Sequence, residues 1–283
     1  MQIVLVSGLS GSGKSIALDV LEDNGYYCVD NLPATLLLDV VKFVEGCGHA
    51  RIAVSVDARS VAPSSLPEQL ATLRSLGAEP KLLFLEASPA VLLRRFSETR
   101  RSHPLSRDDL TLGEAIERER NLLAGVSDLG HRIDTTDLQP RVLRDWIKEI
   151  LSLGGGSLTL LFESFAFRDG IPLDADWVVD VRMLPNPHYE PGLSELTGKD
   201  APVIEYLERQ ERVQQFLGDV RGFLARWLPE VRREHRNYLT VAIGCTGGRH
   251  RSVYIAEQLA RWFSAEGRVL VRHRGLGART TEA

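Results

Sequence analysis

Gly8, Leu9, Ser10, Gly11, Ser12, Gly13, Lys14 and Ser15 run in the spacing G-x-x-x-x-G-K-[ST], a pattern suited to holding a polyphosphate. Its glycines let the main chain pass close to an anion and turn successive N–H groups toward it. Lys14 is placed to reach the terminal phosphates, and the Ser15 hydroxyl to sit on Mg²⁺. The spacing therefore predicts a nucleoside triphosphate site. Its catalytic groups are expected to be Lys14, Ser15 and a carboxylate from a neighbouring strand. Asp57 is that carboxylate: it follows the apolar run Ile52–Val56, and phosphate-loop enzymes hold Mg²⁺ at such a strand end. Ser15 and Asp57 are thus the expected metal-holding pair, and Arg59 the group to neutralise phosphate or meet the base. The same stretch also reads as a capped loop with a surface arginine. Asp30, after the strand-like Gly25–Val29, is either a contact at that sheet edge or a helix cap. Arg94, Arg95, Arg100 and Arg101 read as a phosphate-clamping lid or as a solvated helix face.

A second cluster, Gly244–Ser252, lies between a buried strand pattern and an amphipathic helix. It satisfies C-x-x-G-x-x-R-[ST], in which Cys245 would attack phosphorus and Arg251 would hold the oxygens. Three readings stand: a cysteine phosphatase, a phosphate cradle without catalysis, and a structural turn. A phosphatase also needs a general acid, for which Asp176 and Asp180 are the candidates. The non-catalytic cradle is the expectation, since neither acid is marked out by its surroundings in the sequence.

Both clusters need strands that end where the glycines begin. Gln2–Ser7, Gly25–Val29, Ile52–Val56, Lys81–Leu85 and His131–Asp134 are short apolar strand patterns. The helical segments among them open at Ile16, Pro33, Pro89 and Pro140. Strands alternating with helices predict an α/β fold, a parallel sheet of phosphate-loop kinase type with helices on both faces. Gly154–Ser157 is the clearest linker, giving expected domains of 1–153 and 157–283. The second, smaller α/β domain has strand patterns at Leu158–Phe162, Trp177–Val181, Tyr238–Ile243 and Val269–Val271. A long helical region opens at Pro202, and Val253–Phe263 is a further helix.

Composition narrows the class. Hydrophobic residues are 43% of 283 and the net charge is −4, which suits a packed chain and argues against a wholly basic nucleic-acid binder. Cys28, Cys47 and Cys245 show neither disulfide nor zinc spacing. With no leader pattern and no membrane-length apolar run, a cytoplasmic protein is expected.

Taken together, Gly8–Ser15, Tyr27–Pro33, Val56–Arg59, Thr99–Leu105, Phe162–Phe165, Leu184–His188 and Gly244–Val253 resemble the RapZ-type nucleotide-binding proteins of bacteria, over essentially the whole chain. The resemblance implies ATP and GTP binding with slow hydrolysis, Asp57, Ala58, Arg59 and Ser60 being the segment assigned to GTP. It implies a C-terminal domain that binds small regulatory RNA and a phosphorylated amino sugar. His188, Cys245, Thr246, Gly247, Gly248, His250, Arg251 and Ser252 would line that ligand loop. Protein partners and a homo-oligomeric assembly are also expected. The tail Arg272–Ala283 is less basic than that of enteric members, so fewer counterions would be released and RNA contact weakened. A small-molecule kinase is the alternative for the first half. It would pass phosphate to an acceptor rather than to water.

Overall fold

The computed structural model describes residues 1–58, 65–99, 101–106, 110–152, 158–233, 238–265 and 267–276. The chain divides into two compact units, Met1–Gly156 and Ser157–Ala283. Residues 154–157 of the expected linker lie outside the described residues.

In the first unit, β1 (Gln2–Gly8), β2 (Tyr27–Val29), β3 (Arg51–Ser55), β4 (Lys81–Glu86) and β5 (His131–Asp134) form one sheet in the order β2-β3-β1-β4-β5. Every pair is parallel, and such strands must be apolar on both faces. Ile3, Leu5, Val54 and Phe84 face a core shared with α2 (Leu37–Gly46), α3 (Leu66–Ser75), α4 (Pro89–Thr99) and α5 (Leu112–Ser127). The alternating residues Val4 and Val6 are equally buried. The helix α1 (Lys14–Asp23) packs on β1 and β3, with α6 (Pro140–Ser152) against it. Each such leucine or valine contributes about 1.5–3 kcal/mol on burial. Because β1 sits centrally, Gly8–Ser15 leaves the middle of the sheet's carboxyl edge, where open α/β sheets bind ligands.

This is the α/β architecture expected, with two differences in detail. The helices α3 and α5 are not among the helical segments expected from the sequence. A single 3₁₀ turn, Ala34–Leu36, precedes α2, so Pro33 stands before that turn and not inside the helix.

In the second unit, β6 (Thr159–Ala166), β7 (Trp177–Asp180), β8 (Tyr238–Cys245) and β9 (Arg268–His273) form a parallel sheet in the order β7-β8-β6-β9. All eight residues of β6 are buried. The helical region after Pro202 is broken at Arg209–Gln210 into α7 (Ala201–Glu208) and α8 (Glu211–Arg233). The helix α9 (Arg251–Phe263) packs across β6, β8 and β9, with the Phe162 and Phe263 rings stacked at 5.9 Å.

Candidate functional site

Gly8 ends β1 with φ +130°, and a β-carbon there would fall 2.7 Å from the Leu85 carbonyl carbon and amide nitrogen, and nearer still to its oxygen. Only glycine lets β1 and β4 run this close. The adjoining Leu9 N–H donates to the Leu85 carbonyl at 3.0 Å and Ser12 N–H to the Leu9 carbonyl at 3.1 Å, so the loop folds back over the strand end. Gly13 caps α1 with φ +107°, no side chain caps that helix and its first turn holds no acid. Among the described residues, no capping side chain and no first-turn acid competes with an anion for the positive dipole end of α1. Lys14 Nζ donates to the Gly8 carbonyl at 2.6 Å, drawing its ammonium across the loop.

Three side chains from other elements hold the loop. The Arg95 guanidinium donates to the Gly11 carbonyl at 3.0 Å and to the Thr135 carbonyl at 2.6 Å. Thr135 Oγ1 donates to the Ser12 carbonyl at 2.9 Å, and a trans peptide then points the Gly13 N–H the opposite way. Glu119 of α5 accepts from Ser10 N–H at 2.8 Å and from Ser10 O–H at 2.7 Å. Its position is set by where α5 starts. A capping box joins Thr111 and Glu114, and Ala115, Ile116, Glu119, Leu123 and Val126 then share the buried face.

Asp57 lies just past β3, 3% exposed. The Val56 N–H continues the ladder to the Val6 carbonyl at 2.9 Å, which brings Asp57 beside the strand that feeds the loop. Ala58 is half-buried; Arg59 and Ser60 lie outside the described residues. Asp30 caps neither the 3₁₀ turn nor α2, whose cap positions are Pro33 and Leu36. It is exposed, and Asn31, at φ +55°, donates to it at 3.2 Å. The described arginines of the run have separate surroundings. Arg94 pairs with Glu98 in solvent, Arg95 staples the loop, and Arg101 is exposed; Arg100 lies outside the described residues.

In the second unit, β8 runs on through Gly244 to Cys245, so both belong to the strand rather than to the loop. The thiol shapes the turn that leaves the strand: Gly248 N–H donates to Cys245 Sγ at 3.2 Å, and Ser252 Oγ lies 3.1 Å from it. Arg251 is 5% exposed and donates to the Arg182 and Leu184 carbonyls at 2.8 and 3.0 Å. It thereby clasps the start of the proline-rich loop to α9. Asn186 turns that loop by accepting the His188 N–H, leaving His188 exposed with its ring 6.3 Å from that of His250. His250 is held to the Leu193 carbonyl at 3.1 Å. Burial keeps its pKa below the ordinary histidine value, so the imidazole is neutral near pH 7.

Cys245, His188, His250 and Arg251 line a cleft of about 300 Å³ with Arg168, Arg249, Thr246, Gly247, Tyr189 and Glu195, whereas Gly248 and Ser252 of the expected ligand loop are not in its lining. Three arginines and one carboxylate give its lining a positive balance. The two candidate general acids are committed elsewhere. Asp180 stands at the correct edge, in register with Gly244. Hydrogen bonds from Arg182, the shortest at 2.7 Å, hold it in its ionised form with a lowered pKa. Asp176 sits at the opposite end of β7, accepting the Thr240 N–H at 2.8 Å.

Glu119, Thr135 and Arg168 had no assigned role in the sequence, and Arg95 was read only with its neighbouring arginines. A glutamate on the apolar face of a helix was the available sign for Glu119. Among the described residues, no helix is long and apolar enough to cross a membrane.

The chain is 57% identical to a nucleotide-binding protein of Aromatoleum aromaticum, over 100% of this chain and 97% of that one. It is 58% identical to a nucleotide-binding protein of Thiobacillus denitrificans, over 98% and 100% of the two chains. Among solved structures, a shikimate kinase of Bacteroides thetaiotaomicron matches 54% of this chain and 99% of its own, at 15% identity and TM-score 0.37. Residues 1–155 match the RapZ-like N-terminal domain and residues 158–277 the RapZ C-terminal domain; with both halves accounted for, the chain belongs to the RapZ family.

Proposed function

We propose that residues 1–156 bind a nucleoside triphosphate, ATP or GTP, with Mg²⁺ and hydrolyse it slowly. In this reading residues 157–283 bind a phosphorylated small molecule of amino-sugar type, and the whole acts as a cytoplasmic regulator with RNA or protein partners. The observation that carries the first part is the uncapped start of α1 behind a glycine loop braced from three sides. Lys14 is positioned in that loop, and Asp57 at the end of the adjacent strand. The relatives' name, nucleotide-binding protein, supports it.

The donor set fits a magnesium nucleotide. The Ser15 hydroxyl and Asp57 carboxylate are hard oxygen donors suited to Mg²⁺, which takes few protein ligands and leaves the rest to phosphate and water. When bound, the ion would neutralise phosphate charge. Lys14 would exchange the Gly8 carbonyl for phosphate oxygens, while the N–H groups at the start of α1 orient them.

The cleft at Gly244–Ser252 is read as a binding site and not a phosphatase. Its cysteine is spent on loop shape, and neither candidate acid is available to protonate a leaving group. Incubating the full chain with γ-labelled ATP or GTP tests the nucleotide reading. Release of inorganic phosphate, lost in Lys14→Ala, is the expected result. Unchanged release in that variant would overturn it, and label passed to an added hydroxyl compound would favour a kinase.

A further inference from the structure

We propose that Glu119 is a positioning residue of the nucleotide site. It fixes the phosphate loop at Ser10 and, through His103, makes the loop's shape depend on where segment 101–106 lies. The proposal rests on reading Gly8–Ser15 as the nucleotide site.

Glu119 is 1% exposed, and three donors converge on its carboxylate. Oε2 takes Ser10 N–H at 2.8 Å, Oε1 takes Ser10 O–H at 2.7 Å, and His103 Nε2 lies 3.1 Å from Oε2. His103 is itself buried. Its Nδ1 accepts the Leu105 N–H at 3.1 Å, so that nitrogen carries no proton and the ring proton is on Nε2, donated to Glu119. A buried carboxylate is costly unless so surrounded. An apolar side chain would fill the same space without that cost, so packing alone does not account for the acid.

Its contacts do account for it. Ser10 is a phosphate-loop residue, and His103 belongs to the segment that comes after the arginine run. Glu119 is their common partner, on a helix anchored in the core by Ile116 and Leu123. Arg95 and Thr135 hold the next two carbonyls of the loop. Glu119 differs from them in also reaching segment 101–106. A shift of that segment that withdrew His103 would change how the carboxylate holds Ser10.

Glu119→Gln keeps the volume but leaves one acceptor oxygen where there were two, so either the Ser10 and His103 N–H groups face an amide NH₂ or the Ser10 hydroxyl must reverse to accept from it, and the hold on Ser10 changes in each case. If the loop then keeps its cradle shape about one-tenth of the time, apparent affinity falls about tenfold. The test is Mg²⁺-ATP and Mg²⁺-GTP titration of the full chain by calorimetry, alongside thermal unfolding. The expected result is about tenfold weaker binding in Glu119→Gln. Ser10→Ala should bind several-fold more weakly, with affinity regained in Ser10→Thr, which restores the hydroxyl. His103→Leu should also weaken binding, although it removes no atom of the loop. A merely structural carboxylate would lower the unfolding temperature and leave the affinity of folded protein unchanged, and that outcome overturns the proposal. Should Glu119→Gln fail to fold, the Ser10→Ala and Ser10→Thr pair decides, equal affinities in both overturning it. If the unmodified chain binds neither nucleotide, the nucleotide reading itself falls and takes this proposal with it.

Discussion

Replacing Gly8 by alanine tests the geometry on which the first site depends. Two costs arise. The residue sits at φ +130°, where a side chain adds roughly 1–3 kcal/mol of backbone strain. The new β-carbon would also lie 2.7 Å from two backbone atoms of Leu85. Neither strand end is flexible, so β1 and β4 must part, and the 3.0 Å bond from Leu9 N–H to the Leu85 carbonyl is lost. Leaving those buried groups unpaired costs about 1–3 kcal/mol more. The sum is on the order of 2–6 kcal/mol, a large share of the 5–15 kcal/mol by which domains are usually stable. Gly25→Ala is the control. Gly25 has φ +79° with nothing within 4 Å of its would-be β-carbon, so it meets strain alone, roughly 1–2 kcal/mol. Scanning calorimetry of the full chain reads both. For a unit of this size each kcal/mol moves the midpoint by about 2–4 °C, so Gly8→Ala should lower the first unit's transition by roughly 4–24 °C, about 10 °C at mid-range. Its nucleotide response should vanish with it. A Gly8→Ala protein no less stable than Gly25→Ala would refute the close-approach argument.

Asp57→Asn should shift the Mg²⁺ dependence of hydrolysis to higher concentration while nucleotide binding falls less; superimposable Mg²⁺ titrations would reduce Asp57 to a loop residue. Cys245→Ser should leave phosphate-ester affinity nearly intact, because serine can accept the Gly248 N–H. Arg251→Ala should cut that affinity about tenfold or more by releasing the 182–184 carbonyls and the His188 loop, and equal loss in both variants would contradict these roles. The second unit should lose stability as pH falls below 6.5. Burial holds His250 and His273 below that ordinary value, so the unfolded chain takes up protons first. A midpoint unchanged between about pH 7.5 and 5.5 would contradict this.

The phosphate loop was legible because its function demands particular residue types at particular steps. The strands were legible because parallel strands buried on both faces must be apolar throughout, as Val4–Val6 and Leu82–Leu85 are. What the sequence concealed are residues whose role comes from tertiary contact. Glu119 reads as one acid among many along Leu112–Ser127, a helix polar enough to pass unnoticed although Thr111 and Glu114 mark its start. Arg95 reads as one of four arginines, and only the fold separates it from Arg94. Nothing in the types at Arg209 and Gln210 announces the break between α7 and α8. The phosphatase-like spacing at Cys245 was visible, whereas the engagement of Arg251 with two carbonyls was not, since those lie 67 and 69 residues away in sequence.

The central placement of the first strand in each sheet carries a consequence for synthesis on the ribosome. β1 pairs with β3 and β4, and β6 with β8 and β9, so each opening strand waits for partners made much later. At the usual rate of about 5–20 residues per second, β1 waits several seconds for β4. β6 waits for nearly the entire remainder of the chain, because β9 ends at His273. Throughout that interval an eight-residue segment destined for complete burial stands without its second neighbour. A nascent or prematurely terminated chain lacking residues 268–273 would carry β6 as an open edge, the kind of template on which strands of other chains add.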